Sequence, residues 1–454
     1  MKAANSAVAA LAAMVALLAP ALWNGFPLLE YDTGGYLARW FEGYLVPSRS
    51  VVYGLFLVAG WPLDFWPIVA LQAAATVWVL AVVLRSYGFG KRPWTLFAVV
   101  AALSATTTLP WIAGILLTDI FAGLAVLALH LVVMRADTLR RGERAALVPF
   151  IAFCGATHSA TFLVLLGLAA AALAVALIDR RIVALVSALR AAAAVALAAA
   201  MLVTANFALS GELAWTPGGY GIVFARMLQD GIVTRYLDAH CAEEAFRLCP
   251  YRHRFPPTAD DFLWQYGSIF DKLGRFKGLG DEMRTIVLGS LVEYPGEQLK
   301  AALLASAKQL ISVGTGEGVL TPLPHTYAIM QRYTPAVVPA MHAARQQHGE
   351  LRFAPINAVH VPVALATMAL LPLLFALGLR RRDYLDIGLL AATVSLAILA
   401  NAVVCGTLSN PHDRYGARLA WVPLTVAALA LLRRQGIVAE AQAGTAAVAS
   451  GARV

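Results

Sequence analysis

The sequence contains little charge for its length. Of its 454 residues, only 13% are charged, about half the proportion usual in soluble domains. So small a charged fraction excludes an ordinary cytosolic protein and a disordered chain, since both depend on polar residues in contact with water. Lysine is scarce, with 6 lysines against 29 arginines. That bias is typical of a GC-rich bacterial genome, and we therefore expect a bacterial protein.

Cysteine is also scarce. The four cysteines are too few for a disulfide-rich miniprotein, and the absence of Cys-x-x-Cys and His-x-x-x-His spacings argues against a structural zinc site. Cys154 and Cys405 lie in apolar segments and are predicted to be buried packing residues. Cys241 and Cys249 lie in a polar segment, where an oxidising compartment would favour a local disulfide between them.

Apolar residues take the place of the missing charge. They make up 60% of the chain, and the mean hydropathy is +0.71. Helical runs of about twenty apolar residues are long enough to cross a bilayer. We therefore predict an all-α polytopic membrane protein with about ten transmembrane helices. The predicted spans lie near 7–29, 66–84, 94–110, 118–134, 145–157, 162–178, 187–207, 357–378, 385–407 and 419–432.

The first span has two interpretations. Its Ala19-Pro20-Ala21 sequence is a small-residue site of the kind that follows a secretory signal peptide. A retained transmembrane helix is the favoured interpretation, because Lys2 alone makes a weakly charged leader.

The loops between the predicted spans alternate in basic content. One set of loops carries sixteen lysines and arginines, whereas the short loops of the other set carry four, namely Arg39, Arg49, Arg414 and Arg418. The positive-inside rule then predicts a multi-pass protein of the bacterial inner (plasma) membrane with both termini in the cytoplasm. The net charge of +9 thus reflects orientation in the membrane, and we expect membrane lipids rather than nucleic acid as partners.

Four parts follow from this layout. They are an N-terminal bundle of about seven spans with an acidic first outer loop (1–207), an extracytoplasmic domain (208–356), about three C-terminal spans (357–434) and a flexible cytoplasmic tail (435–454). The domain carries fourteen basic and fourteen acidic side chains. Helical periodicity predicts helices within it at 221–239, 258–273, 280–294 and 296–312. In the last of these one face carries Leu299, Leu303, Leu304, Ala307 and Leu310.

Polar residues at the span ends fall on the predicted outer side. Because ionisable groups at membrane depth are costly and tend to be functional, we predict that they line one shared outer pocket. A juxtamembrane carboxylate can serve as a general base, and arginine beside histidine suits a phosphate group. The candidate catalytic carboxylates are Asp32, Glu30 and Asp119. The candidate phosphate-binding residues are Arg414, His412, Arg418 and His158.

Each of these residues also has a simpler interpretation. Asp32 and Asp119 both stand where a helix N-cap is expected. Residues 410–418 resemble an interfacial anchor whose arginines contact lipid phosphates. His158 suits a polar group that bridges two helices within the membrane. Asp32 and Asp119 are also possible ligands of a divalent cation, although two carboxylates without further ligands predict a metal only weakly.

The layout resembles the integral-membrane GT-C glycosyltransferases. The resemblance extends over most of residues 1–435 as architecture and depends on short motifs. These motifs are Glu30 and Asp32 in the first outer loop, Thr118-Asp119 opening a later span, His158 between spans, Tyr294-Pro295 opening a helix in the large insert, and Arg414-Tyr415 before a last span that contains Pro423.

The resemblance implies an inverting sugar transfer from a polyprenyl-phosphate donor to a glycan, lipid or protein acceptor on the outer, periplasmic face. It implies that Asp32 or Glu30 is the base, that Asp119 is a second acid in the cavity, and that Arg414 with His412 holds the donor phosphate. Many members carry an adjacent Asp-Glu pair in the first loop. The present Glu30-Tyr31-Asp32 sequence therefore leaves two candidates for the base.

Two other functions fit the same pattern. A lipid or polysaccharide transporter or flippase would line its pathway with buried charges, although polar residues would then be expected at mid-membrane and on the inner face as well. A non-catalytic membrane assembly protein would keep the shape and use the outer domain to bind a partner.

Overall fold

The computed structural model describes residues 2–45, 47–320 and 322–451, and these residues are mostly helical. No β-strand occurs among them, and one isolated bridge joins Leu28 to Ile115. The described residues of the N-terminal part form ten α-helices. They are α1 (Lys2–Asn24), α2 (Thr33–Glu42), α3 (Val51–Val58), α4 (Trp66–Ser86), α5 (Pro93–Thr106), α6 (Leu109–Ala113), α7 (Asp119–Met134), α8 (Arg141–Thr157), α9 (Ser159–Ile178) and α10 (Leu185–Ser210).

The polar insert and the C-terminal part are helical as well. The helices of the insert are α11 (Gly219–Gln229), α12 (Ile232–His240), α13 (Ala259–Trp264), α14 (Ile269–Lys272), α15 (Arg275–Glu293), α16 (Pro295–Ile311), α17 (Pro324–Tyr333) and α18 (Val338–Ala343). The C-terminal helices are α19 (Phe353–Arg380), α20 (Leu385–Leu408), α21 (Asp413–Ala420) and α22 (Val422–Gly451). Since α10 ends at Ser210 and α19 begins at Phe353, the insert is a few residues shorter at each end than predicted.

Among the described residues, seven helical segments are long and apolar enough to cross a membrane. They are Ala4–Asn24, Trp66–Ser86, Ser159–Ile178, Leu185–Ser210, Phe353–Arg380, Arg382–Leu408 and Asp413–Ile437. Helices α5 and α7 are shorter apolar helices, and α8 covers the remaining predicted span. Each predicted span thus falls on a helix, and the structure confirms a polytopic helical protein.

Helix α7 lies at the centre of the bundle. Its residues from Asp119 to Val133 are all buried, and it packs against α4, α8, α9, α10, α20 and α21. Sixteen residues make a helix of about 24 Å, which is shorter than the bilayer core of about 30 Å. Because other helices surround it, α7 positions its N-terminal residue Asp119 inside protein rather than in lipid.

The insert has a hydrophobic core of its own. Phe224, Phe262 and Phe270 are fully buried in it, and a disulfide joins Cys241 to Cys249, the pair for which the sequence predicts one. The insert is also docked on the bundle, because α16 packs along α20 and α17 packs on α2.

The C-terminal segment is helical over most of the predicted tail, and the flexibility of that tail stays a prediction. The sequence predicts a flexible tail from residue 435, whereas α22 continues as a helix to Gly451. Residues 452–454 of the predicted tail lie outside the described residues.

The basic loops meet at one end of the bundle. Arg85 pairs with Glu143, and Asp386 accepts ion pairs from Arg135 at 3.5 Å and Arg433 at 3.1 Å. These contacts join the end of α4 to the start of α8, and the start of α20 to the residue after α7 and to α22. The loops with high basic content therefore share one end, and the candidate site residues lie at the other.

Candidate functional site

Three carboxylates from two separate segments of the chain surround the Arg414 guanidinium. Arg414 Nη1 donates to Glu30 Oε1 at 2.9 Å and to Asp32 Oδ2 at 2.8 Å, and its Nε donates to Asp119 Oδ2 at 3.0 Å. We call these four residues the acid cluster. The sequence places Glu30, Asp32, Asp119 and Arg414 on one side of the membrane, and the structure brings them into direct contact.

Backbone pairing aligns the two segments that carry the acids. Leu28 N donates to the Gly114 carbonyl and Leu116 N donates to the Leu28 carbonyl, so the loop after α1 runs beside the loop before α7. Thr33 Oγ1 strengthens this pairing by donating to the Leu116 carbonyl at 3.0 Å. The Glu30–Asp32 loop therefore lies next to the start of α7, where Asp119 stands.

Neither aspartate acts as a helix cap. Asp32 is the N-cap residue of α2 but its side chain makes no capping hydrogen bond, and Thr118 rather than Asp119 occupies the N-cap of α7. Both carboxylates bind Arg414 instead. The simpler interpretation of these two residues is therefore wrong.

Glu30 and Asp32 have opposite electrostatic environments. Burial raises the pKa of Glu30 to about 8, against the opposing effect of Arg414. Burial also acts to raise the pKa of Asp32, but the charges of Arg49 and Arg414 outweigh it and lower this pKa to about 2. The two guanidinium groups thus favour the ionised form of Asp32, whereas burial favours the protonated form of Glu30.

Arg49 is a member of the site that sequence reasoning missed. It pairs with Asp32, and its guanidinium lies over the ring of Tyr36 at 5.9 Å from the centroid. Its position among the few basic residues of the predicted outer loops was the available signal. That signal does not distinguish a site residue from a lipid-facing one.

A small cavity of about 30 Å³ opens beside the acid cluster. Glu30, Asp119, Glu317 and Arg414 line its polar end. Its apolar walls include Leu28, Trp111, Ile112 and Phe353.

The carboxylates differ in which oxygens remain free. Both oxygens of Glu30 accept hydrogen bonds, one from Arg414 and one from the Asp32 backbone N–H, and both oxygens of Asp32 accept from arginines. Asp119 Oδ1 is buried and has no hydrogen-bond partner among the described residues. A buried acceptor without a partner is costly. Asp119, which also lines the cavity, therefore keeps one oxygen free to accept a proton.

Arg418 is a buried cation with neutral partners. It is 1% exposed, and it donates from Nε to Asn401 Oδ1 at 3.0 Å and contacts His158 Nδ1 at 3.3 Å. Within the described part of the chain, no carboxylate lies within ion-pair distance of it. Since a buried charge normally needs a counter-charge, this arrangement suits an anionic ligand.

His158 stands between helices, as the sequence predicts. Its Nδ1 accepts from the Ala160 N–H and so caps α9, and the same atom lies near Arg418 of α21. Its role as a link between helices is thus visible in these contacts. His158 lies beside Arg418, so it would contact a phosphate only if Arg418 held that phosphate.

His412 is not free to bind a phosphate in this structure. Its Nδ1 contacts Glu317 at 2.8 Å and its Nε2 contacts Asp260 at 3.3 Å. Burial would lower its pKa, but these two carboxylates raise the pKa to about 9. His412 therefore links the last spanning segment to the insert, and the predicted phosphate contact is replaced by this link.

A glycine-rich loop that the sequence analysis did not single out closes against the site. Gly314, Gly316 and Gly318 alternate in it, and Glu317 accepts the Arg414 backbone N–H at 2.8 Å. A Cβ on Gly318 would overlap Glu30 Oε1, and one on Gly316 would overlap the Phe353 ring. The Gly-x-Gly-x-Gly spacing was a usable signal of close backbone approach.

The structure does not support the predicted cation between Asp32 and Asp119. The Arg414 guanidinium occupies the space between these carboxylates. No group of three or more His, Cys, Asp or Glu side chains suited to a metal ion occurs among residues 2–45, 47–320 and 322–451.

Comparison with known proteins gives no match to any family model, curated protein or solved structure. The geometry of the site is therefore the basis for assigning a function.

Proposed function

We propose that this protein is a membrane glycosyltransferase of the GT-C type, which moves a sugar from a polyprenyl-phosphate donor to an acceptor hydroxyl. The observation that carries the proposal is the unpartnered buried oxygen of Asp119, a residue that lines the cavity together with the ionisable groups of Glu30, Glu317 and Arg414. An unpartnered buried carboxylate oxygen beside a fixed cation suits a general base. The apolar walls of the cavity suit a substrate that enters from lipid.

The proposed reaction needs a base and an anion site. Asp119 Oδ1 takes the proton of the acceptor hydroxyl, whose oxygen forms the new bond to the anomeric carbon. The bond from that carbon to the phosphate oxygen breaks, and polyprenyl phosphate leaves with inverted configuration at the sugar. Because the leaving phosphate carries its own charge, a strong general acid is unnecessary, and fixed positive charge supplies the stabilisation.

The geometry favours Arg418 and Arg414 as the residues that hold the phosphate. Arg418 is buried without a carboxylate partner among the described residues. Arg414 donates from Nε and Nη1 to the three carboxylates of the acid cluster, and its Nη2 makes no hydrogen bond to the described residues. This assignment differs from the resemblance in two respects. Asp119 replaces Asp32 or Glu30 as the base, and Arg418 replaces His412 as the partner of Arg414.

The proposal places the site on the outer face of the bacterial inner membrane. It takes the ten helices at the predicted spans as ten crossings, with both termini cytoplasmic and the insert outside. The clustering of basic loops at the opposite end supports this orientation. The disulfide in the insert also supports it, because disulfides persist in oxidising compartments.

The test is the release of polyprenyl phosphate from a panel of radiolabelled polyprenyl-phosphate hexoses and pentoses by membranes that contain each variant. We expect Asp119→Asn to lower the rate by about 10²–10⁴-fold, the usual contribution of a general base. Arg418→Gln is expected to weaken donor binding, and Asp32→Asn to have a smaller effect than Asp119→Asn.

The matched control is Asp386→Asn. Asp386 also pairs with two arginines, but at the opposite end of the bundle. We expect it to keep full transfer. Equal activity of the Asp119→Asn variant and the unmodified protein, at equal membrane content, would remove the proposed base and with it the proposal.

A further inference from the structure

Helix α16 carries an apolar face that nothing in the described part of the insert covers. Leu299, Leu303 and Leu304 are 62%, 63% and 63% exposed. The buried stripe of the same helix consists of Ala305 and Gln309. The sequence places these leucines on one face, which in a water-soluble domain would face the core. Here that face points away from the protein.

The buried stripe fixes where α16 lies. Gly406, in the last turn of α20, approaches the Ala305 backbone so closely that a Cβ there would lie 2.9 Å from it. Gln309 Nε2 donates to the His412 carbonyl at 2.8 Å. The second half of α16 therefore lies at the level at which α20, a helix of membrane-spanning length, ends.

The exposed leucines continue an apolar surface of α20. Val403 and Leu408, near the end of α20, are 52% and 45% exposed, and a spanning helix presents such side chains to lipid. On the insert side, Val292 near the end of α15 is also exposed. Lys300 and Lys308 are also exposed on α16. Leucines combined with lysines on one exposed side are typical of a helix that lies in a membrane interface.

We propose that α16 lies in the lipid–water interface at the outer face of the inner membrane. Leu299, Leu303 and Leu304 then lie among acyl chains, and the lysines of α16 lie at anionic headgroups. This inference is independent of the proposed sugar transfer, since it depends on the position of α16 alone. Helix α16 ends at Ile311, directly before the glycine-rich loop that lines the cavity. The proposed lipid contact of α16 therefore lies next to the glycine-rich loop, which forms one wall of the cavity.

The test uses an environment-sensitive fluorophore on one introduced cysteine, in the full chain reconstituted into phosphatidylcholine and phosphatidylglycerol vesicles. The variants are Leu303→Cys and, as the matched control, Lys277→Cys, an exposed position on α15 of the same insert. The free cysteines Cys154 and Cys405 are buried, and the unsubstituted protein measures any labelling of them.

We expect the probe at position 303 to be quenched by nitroxide on lipid acyl chains, with several-fold less quenching by aqueous iodide than the probe at position 277. Equal iodide quenching at the two positions would overturn the proposal. Protection of position 303 from both quenchers would also overturn it, because a second copy of the chain or another protein would then cover this face.

Adding Lys300→Gln and Lys308→Gln tests the headgroup contact. We expect the labelled Leu303→Cys protein to become more accessible to iodide in vesicles that contain phosphatidylglycerol. An unchanged accessibility would contradict the contact with anionic headgroups.

Discussion

Glu30 and Asp32 lie two residues apart and share Arg414, yet burial controls one pKa and paired charge controls the other. The pKa of Glu30 is raised to about 8 from 4.5. Between these values the folded protein binds a proton at Glu30 that the unfolded chain releases, so stability falls as the pH rises through this window. Asp32 behaves in the opposite way, because its pKa is lowered to about 2 from 3.8. Its contribution is present above pH 3.8 and lost as the pH falls toward 2.

We therefore predict that Glu30→Gln raises the melting temperature relative to the unmodified protein, and raises it more at about pH 9 than at about pH 5, on either side of the Glu30 pKa. Glutamine resembles the protonated carboxyl and removes the cost of an ionised, buried group. The measurement is thermal unfolding in detergent at the two pH values, followed by tryptophan fluorescence. If the substitution changed the melting temperature by the same amount at both pH values, burial would not control the pKa of Glu30.

The residues of the site divide into those that the sequence predicts and those that it does not. Span alternation places Glu30, Asp32, Asp119 and Arg414 on one side, and their contacts follow once the helices pack. The free oxygen of Asp119 and the missing counter-charge of Arg418 depend on side-chain distances within the packed bundle, and periodicity does not encode them.

At the scale of elements, the glycine-rich loop shows how a backbone segment positions a carboxylate. Gly318 has a φ of +76° and leaves room for Glu30, whereas Gly349 has a φ of +69° and open space within 4 Å of the point that a Cβ would occupy. Alanine at either position suffers the same backbone strain, about 1–2 kcal/mol. Only at Gly318 does the new methyl group also displace Glu30 from its contact with Arg414.

We predict that Gly349→Ala lowers stability slightly and keeps polyprenyl-phosphate release, whereas Gly318→Ala lowers both. The measurements are the melting temperature and the release assay on the same membrane preparations. Equal polyprenyl-phosphate release by the two variants would mean that the glycine-rich loop can move away from Glu30 without loss of activity.

The helices of the bundle were easier to predict than their environment. Apolar runs give the positions of the spans, because the bilayer fixes the length of a helix. The leucine face of α16 shows where this reasoning stops. The same spacing predicts a buried face in water and a lipid-facing one in a membrane, and the position of α20 decides between them.

At the scale of the whole molecule, the two ends of the bundle differ in chemistry. One end joins basic loops through Asp386, and the other holds the acid cluster and the insert. With the basic end in the cytoplasm, the Cys241–Cys249 disulfide lies in an oxidising compartment, where it is stable. Orientation and disulfide thus support each other.

We predict that the disulfide is accessible from outside intact cells. After treatment of cells with a membrane-impermeant reductant, Cys241 and Cys249 should react with a membrane-impermeant maleimide and shift the protein on a gel. Lys91→Cys, an exposed position at the basic end, should react only after lysis. The reverse pattern, with position 91 labelled in intact cells and the disulfide cysteines protected, would show that the protein has the opposite orientation. The acid cluster would then face the cytoplasm, where a donor presented on the outer face does not reach it.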